Sequence, residues 1–251
     1  MTLPRVLLVE DDTSIARFVQ MALDELPIEL VICTNVPDAM QALHTDSVRL
    51  IITDLMLPGE SGIDLVQQLL NDPALGGKVP VAVFSAGLTP AVREQMMAMK
   101  VWRLLSKPAS VLDLEACVRD ALHLNTDQPA RTPATETETA TADSISANSA
   151  ETDEAQAIAT HFAGDAFLFK AYRDSCLHQF HADVKLGDAA CAAQDWPALR
   201  RLAHSLATVL LTLGHPSASV RAQQLETSAS HLVAEQCVEH WLELRAFLAR
   251  L

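Results

Sequence analysis

Aromatic side chains are scarce in this chain: seven Phe, three Trp and one Tyr among 251 residues. Leu, Val, Ile and Ala must therefore fill the interior, and with hydrophobic residues at 49% there are enough of them for real cores. Basic residues are also few, 18 against 32 acids, for a net charge of −14. That balance argues against nucleic acid as a direct partner, because such binding is dominated by basic contacts to phosphate. No run of about 18 apolar residues occurs, so membrane insertion is not expected. The first apolar run, in "MTLPRVLLVEDD", is too short for a signal sequence and ends in three acids. The expectation is a cytoplasmic protein. The five cysteines form no CxxC pair, and they read as reduced thiols rather than as a disulfide framework or a zinc site.

What is present falls into two halves. Residues 5 to 123 alternate short apolar runs with amphipathic segments: "RVLLV", "IELVIC", "VRLIITD", "VPVAVFSA" and "VWRLLS" as strands, each followed by a helical pattern. Asn35 is a candidate cap of the second helix, with Pro37 in its first turn. Five β–α units in a row predict a parallel sheet with helices on both faces. Strands buried on both faces should read as continuous apolar runs, and these do. Residues 125 to 153 are almost all Thr, Ala, Ser and acids, which predicts a flexible linker spanning roughly 30 Å. From 154 to 251 the pattern is helical, with long helices expected at about 165–192, 196–213, 216–232 and 236–250 after a short leading one. A four-helix bundle follows from that pattern.

In a parallel α/β sheet, ligands bind beyond the carboxyl ends of the strands. Here those ends carry Glu10-Asp11-Asp12, then Asp54, then Ser85, then Lys107-Pro108. Clustered carboxylates repel unless a cation joins them, and hard oxygen donors suit Mg²⁺. A metal-held carboxylate beside a hydroxyl and an ammonium is a reasonable phosphoryl acceptor, with Asp54 as nucleophile. Any one of these residues alone would be an ordinary polar loop residue; the set, each member on its own strand end, is not.

"VLLVEDD", "IITDLMLPGESG", "VFSA" and "LLSKP" resemble the signature segments of the response-regulator receiver domain of two-component signalling, over roughly residues 4 to 123 (a domain bounded at 1–124). The resemblance implies a flavodoxin-like (βα)5 fold. It also implies phosphorylation at Asp54, with Mg²⁺ held by Glu10, Asp11, Asp54 and the backbone carbonyl of Met56. Ser85 is then the hydroxyl that senses the phosphoryl group, Lys107 is the family's lysine, and the Lys107–Pro108 bond is cis. Receivers usually carry Tyr or Phe three residues before the lysine; this chain has Leu104. Trp102, two residues earlier on the same strand face, is either its substitute or ordinary packing.

On the helix around 196–213, Leu199, Leu202, Leu206, Val209, Leu210 and Leu213 form one apolar face. His204 lies about 160° from its centre at Leu206, so it is expected to point to solvent, flanked by Arg200, Arg201, Thr208 and Leu211. An exposed imidazole can act as a nucleophile near neutral pH. His178 and His181 share a helix face without a nearby acid cluster and are given no role.

"LRRLAHSLATVLLTLGHPSASVRAQQLE" resembles the histidine-containing phosphotransfer (HPt) domain through His204, Leu206, Leu213-Gly214, Ala218, Ala222 and Leu225-Glu226. The resemblance implies that His204 carries a phosphoryl group. That family usually has Lys and Gly three and four residues after the histidine, where this chain has Ala207 and Thr208. The departures point either to a slower or more selective carrier, with Arg200 or Arg201 supplying the charge, or to a docking module that binds receivers without accepting phosphate. Together the resemblances imply a phosphorelay intermediate, a phosphocarrier rather than a turnover enzyme, with no ATP-binding kinase domain. Its partners would be a sensor histidine kinase of hybrid type and a downstream response regulator. A DNA-binding transcription factor is disfavoured, because the C-terminal region has no basic recognition helix.

Overall fold

The computed structural model describes residues 3–45, 47–72, 75, 79–123 and 149–251. The first half alternates β1 (Arg5–Val9), α1 (Thr13–Ala22), β2 (Glu29–Cys33), α2 (Val36–Thr45), β3 (Val48–Thr53), α3 (Gly62–Asn71), β4 (Val81–Ser85), α4 (Pro90–Ala98), β5 (Arg103–Ser106) and α5 (Val111–Leu122). The strands form one sheet in the order β2-β1-β3-β4-β5, parallel throughout. This is the parallel sheet expected from the five repeated units, in the flavodoxin-like arrangement that the receiver resemblance implies. Strand alternation divides the interior. Val6, Leu8, Leu50 and Ile52 face α1 and α5, whereas Leu7, Val9 and Ile51 face α2 and α3.

Helix starts are set by short polar side chains that satisfy orphaned N–H groups. Asp12 accepts from Ile15 N at 2.9 Å, and Asn35 accepts from Asp38 N at 2.9 Å. Ser61–Asp64 and Ser110–Asp113 each form a reciprocal capping box. At the first position of α3, Gly62 lies against the backbone of Asp54, and a Cβ there would run into the Asp54 carbonyl. A side chain at 62 would therefore displace Asp54 itself.

The second half is helical: α6 (Ser149–His161), α7 (Ala166–Ala193), α8 (Trp196–Thr212), α9 (Pro216–Ser230) and α10 (Ala234–Leu248). The four long helices fall where the apolar spacing put them, within about two residues. The linker expectation needs correction at its C-terminal end. The segment read as linker, 125–153, overlaps α6, which begins at Ser149; residues 124–148 lie outside the described residues. Ala-rich, acid-rich sequence looks unstructured by composition, yet Ala and Glu are good helix formers once a neighbour covers one face. Within this half α8 packs on α9, and α10 packs on both α9 and α7.

Gly187 shows how close α7 and α10 come. A Cβ at 187 would enter the ring of Trp241, which is itself buried and bonded through Nε1 to Asp188 at 2.9 Å. Gly187→Ala should cost about 1–3 kcal/mol in chemical denaturation, as overpacking of a rigid ring does.

The two halves share an interior. The hydrophobic cluster on the α1/α5 face of the sheet continues without a break into Phe162, Phe169, Tyr172, Leu206 and the rest of the helical core. The contacts run from α1 to α7 and α8.

Candidate functional site

The ends of four strands converge. Glu10 and Asp54 follow β1 and β3, Ser85 closes β4, and Lys107 follows β5 and is joined to Pro108 by a cis bond. Lys107 Nζ donates to Glu10 Oε2 and to Asp54 Oδ2, each at 2.6 Å, and all three groups are buried. The Ser85 hydroxyl lies beside Asp54, whose Oδ1 accepts from Met56 N at 3.2 Å. Electrostatics separates the two carboxylates. Burial pushes Glu10 up to about 8, against the pull of Lys107. Burial acts on Asp54 in the same direction, but the Lys107 ammonium, the Ser85 hydroxyl and His204 outweigh it and hold Asp54 below the ordinary aspartate range. Asp54 is thus kept ionised, as a nucleophile must be. Asp11, half-buried, is raised by burial and by the charge of Asp54.

The expectation that His204 points to solvent is overturned. His204 does lie on the face of α8 away from the apolar stripe, but the α/β half covers that face and leaves the residue only 5% exposed. Periodicity fixes direction relative to the helix axis and says nothing of what lies beyond. Between the halves is a cavity of about 270 Å³. Ala86, Gly87, Lys107 and Pro108 line one side, and His204, Ala207, Thr208 and Glu226 the other. Glu226 Oε1 lies 3.1 Å from His204 Nδ1, while His204 Nε2 is buried with no hydrogen-bond partner among the described residues. Arg200 Nε is 4.0 Å from the same Glu226 oxygen, at the limit of an ion pair. No bond to His204, Glu226 or the acidic rim is assigned to Arg201.

The response regulator receiver domain family matches residues 6–119. Those residues are a receiver domain. The chain is 32% identical over 213 residues to the sensory/regulatory protein RpfC of Xanthomonas campestris pv. campestris, a match covering 83% of this chain and 28% of that protein. It is 31% identical over 124 residues to the chemotaxis protein CheV1 of Helicobacter pylori, covering 47% of this chain and 38% of that one. This chain therefore spans under half the length of either relative. Among solved structures, the receiver domain of the Francisella response regulator 1452 is similar at 25% identity, with a TM-score of 0.44 over 48% of this chain and 98% of that one.

The receiver's acidic rim has the donor chemistry of a hard divalent cation: carboxylates, a backbone carbonyl at Met56, and no sulfur or imidazole. Glu10 and Asp11 are raised by burial first and by the charge of Asp54 second, and a bound cation would relieve both. The donors are not gathered on one point, however. Lys107 sits between Glu10 and Asp54, and no convergent trio of metal-ligating side chains forms among the described residues. Trp102 does not stand in for an aromatic at Leu104. It precedes β5, its ring stacks on the Arg103 guanidinium at 4.5 Å, and it lines a cavity with Val48, Pro80 and His123, at the end of the sheet away from Asp54. His178 and His181 are exposed and bond backbone carbonyls one turn back. No described helix is long and apolar enough to cross a membrane.

Sequence reasoning missed the joint between the halves. Phe18 of α1 meets Phe162 and Tyr172 at ring centroid separations of 5.4 and 5.3 Å, and Phe162 meets Phe169 at 5.3 Å, all edge-to-face. Four of the chain's few aromatics thus gather at one place, and each such pair contributes about 0.5–1.5 kcal/mol beyond burial. Scarcity was the usable signal: in an aromatic-poor chain, "HFAGDAFLFKAY" is an unusual concentration. Polar contacts flank the rings. Ser205 lies near Asp12, Cys176 lies near Ser14 and Tyr172, and Asp183 is buried nearby with Gln179 Nε2 at 2.9 Å.

Burial pushes Asp183 up to about 6, with Asp12 adding to the effect. Its folded value lies above its unfolded one, so the folded state holds the proton more tightly. Stability on this account is full below about pH 4 and falls as pH rises through about 6. Asp183→Asn should therefore raise stability at pH 7 by about 1–3 kcal/mol, and the gain should vanish by pH 4 in paired thermal melts.

Proposed function

We propose that this chain is a phosphorelay intermediate in which the helical half is an HPt four-helix bundle, occupying about residues 154–251. Asp54 is the phosphoacceptor of the receiver and His204 a phosphoryl carrier. The observation that carries this reading is the unpartnered, buried Nε2 of His204, in a cavity shared with Lys107, whose ammonium bonds Asp54. In the transfer, the Nε2 lone pair attacks the phosphorus of the Asp54 acyl phosphate. The N–P bond forms as the P–Oδ bond breaks, and Asp54 departs with the electron pair as a carboxylate. Glu226 accepts from Nδ1–H and balances the positive charge that develops on the ring. Lys107 and Ser85 neutralise the transferring oxygens, so alignment and charge supply most of the catalysis. Mg²⁺ bound by Glu10, Asp11, Asp54 and the Met56 carbonyl would supply further charge neutralisation.

The similarity to RpfC runs over 213 residues, well beyond the receiver, and so includes part of the helical half. A cytoplasmic location, a hybrid-type sensor histidine kinase as donor and a response regulator as acceptor complete the reading. The test is labelling with acetyl phosphate and Mg²⁺, mapped by tandem mass spectrometry at neutral pH. Wild type should carry label on Asp54 and then on His204, His204→Gln on Asp54 alone, and Asp54→Ala on neither. Chelating the metal should abolish labelling. Label that stays on Asp54 in wild type would reject the carrier role. It would favour the second reading, a docking module, for which Ala207 and Thr208 speak.

A further inference from the structure

We infer that the aromatic joint centred on Phe18 is a gate: while it is closed, Asp54 and His204 exchange phosphate only with each other, and a second protein reaches either one only after the joint opens. The inference rests on the phosphorelay reading and concerns who may take part.

Three observations carry it. First, both reacting groups are covered. Asp54 is 2% exposed and His204 5%, and the cavity that separates the halves is about 270 Å³. Residues of both halves wall that cavity, and a whole domain of another protein cannot enter it while the halves stay together. Second, the cover is built as a core rather than as a wet contact. Phe18, Phe162, Phe169 and Tyr172 are each at least 95% buried, within a hydrophobic cluster continuous through both halves. Third, the charge is divided across the boundary. Of the described residues lining the cavity, Lys107 alone carries a cationic side chain of the Lys/Arg type, and it belongs to the receiver. Position 207 on the histidine's own helix is alanine. A dianionic phosphoryl group on His204 is therefore neutralised from the receiver side, within the closed arrangement.

Covalent linkage adds to this. An attached domain competes at about millimolar effective concentration, so at micromolar protein the cis contact is favoured about 1,000-fold before any difference in fit. The exchange itself is the balanced N–P for P–O transfer described above, and needs no further reactant.

The test asks whether opening the gate increases transfer between molecules. The parental pair is a donor, His204→Gln labelled on Asp54 with acetyl phosphate, and an acceptor, Asp54→Ala with His204 intact. Each is then opened by a substitution in the half that does not enter the intermolecular contact. The donor receives Ser205→Glu, which sets a second carboxylate near Asp12, the N-cap of its own α1. The acceptor receives Phe18→Leu, which keeps its receiver core filled and removes the ring contacts. Intact surfaces still meet between molecules. The opened pair should transfer at least tenfold faster than the parental pair, and wild type should label His204 at a rate independent of its concentration. Circular dichroism confirms that each variant is folded, and Tyr172→Leu in the donor replaces Ser205→Glu if that one is not. Equal rates for opened and parental pairs would overturn the gate while leaving the relay intact. Wild type that never labels His204 would overturn both, a different pattern.

Discussion

Lys107→Met should slow conversion of phosphorylated Asp54 to phosphorylated His204 by about 100-fold or more, the usual effect of deleting a pre-aimed charge donor. Among the described residues no other Lys or Arg lines the cavity. The same substitution should cost about 3–5 kcal/mol of stability, because Glu10 and Asp54 lose the ammonium that each meets at 2.6 Å and face one another buried. The two losses are separable. Mg²⁺ should restore more stability to Lys107→Met than to wild type, since two unpaired carboxylates attract it more strongly, yet it should not restore the transfer rate in full. Single-turnover labelling and thermal melts with and without metal check both parts. A variant that transfers at the wild-type rate would remove Lys107 from the mechanism.

Glu226→Ala should be the other large effect, a fall on the order of 100-fold in labelling of His204 with labelling of Asp54 kept. Glu226 touches only the ring nitrogen that does not react, at 3.1 Å, so its action is to position. It holds the hydrogen on Nδ1 and leaves Nε2 with its lone pair toward the cavity. The spectroscopic signature is the tautomer. Nitrogen shifts of the imidazole should report Nδ1–H in wild type and a mixture in Glu226→Ala, and Glu226→Gln should recover the tautomer through its amide oxygen. An unchanged tautomer in Glu226→Ala would reject the role.

The parallel sheet was legible because central parallel strands are buried on both faces, which leaves runs such as "VLLV" and "LIIT" without polar interruption. The rim was legible because strand ends are where such a sheet exposes chemistry, so Glu10, Asp54, Ser85 and Lys107 announced themselves by position. The environment of His204 was not. Helical periodicity placed it opposite Leu206, correctly, but the partner surface comes from residues some 100–200 positions earlier, and no local pattern encodes it. The joint was hidden for the same reason: Phe18 stands far in sequence from Phe162, Phe169 and Tyr172. Leu104 illustrates a different limit. Alternation offered Trp102 as a replacement on the same strand face, but two residues along a strand is about 6.6 Å, enough to carry its ring to the wrong end of the sheet.

Phe18 has one more consequence, for how such a chain could be recombined. A receiver is ordinarily pictured as a cassette, cut at its linker and spliced before another output. Here the cut would strip a ring from one core and leave Phe162 and Tyr172 facing water in the other. The two halves can be transplanted intact only together, and a foreign receiver joined to this helical half would need an aromatic residue on its first helix, aimed as Phe18 is.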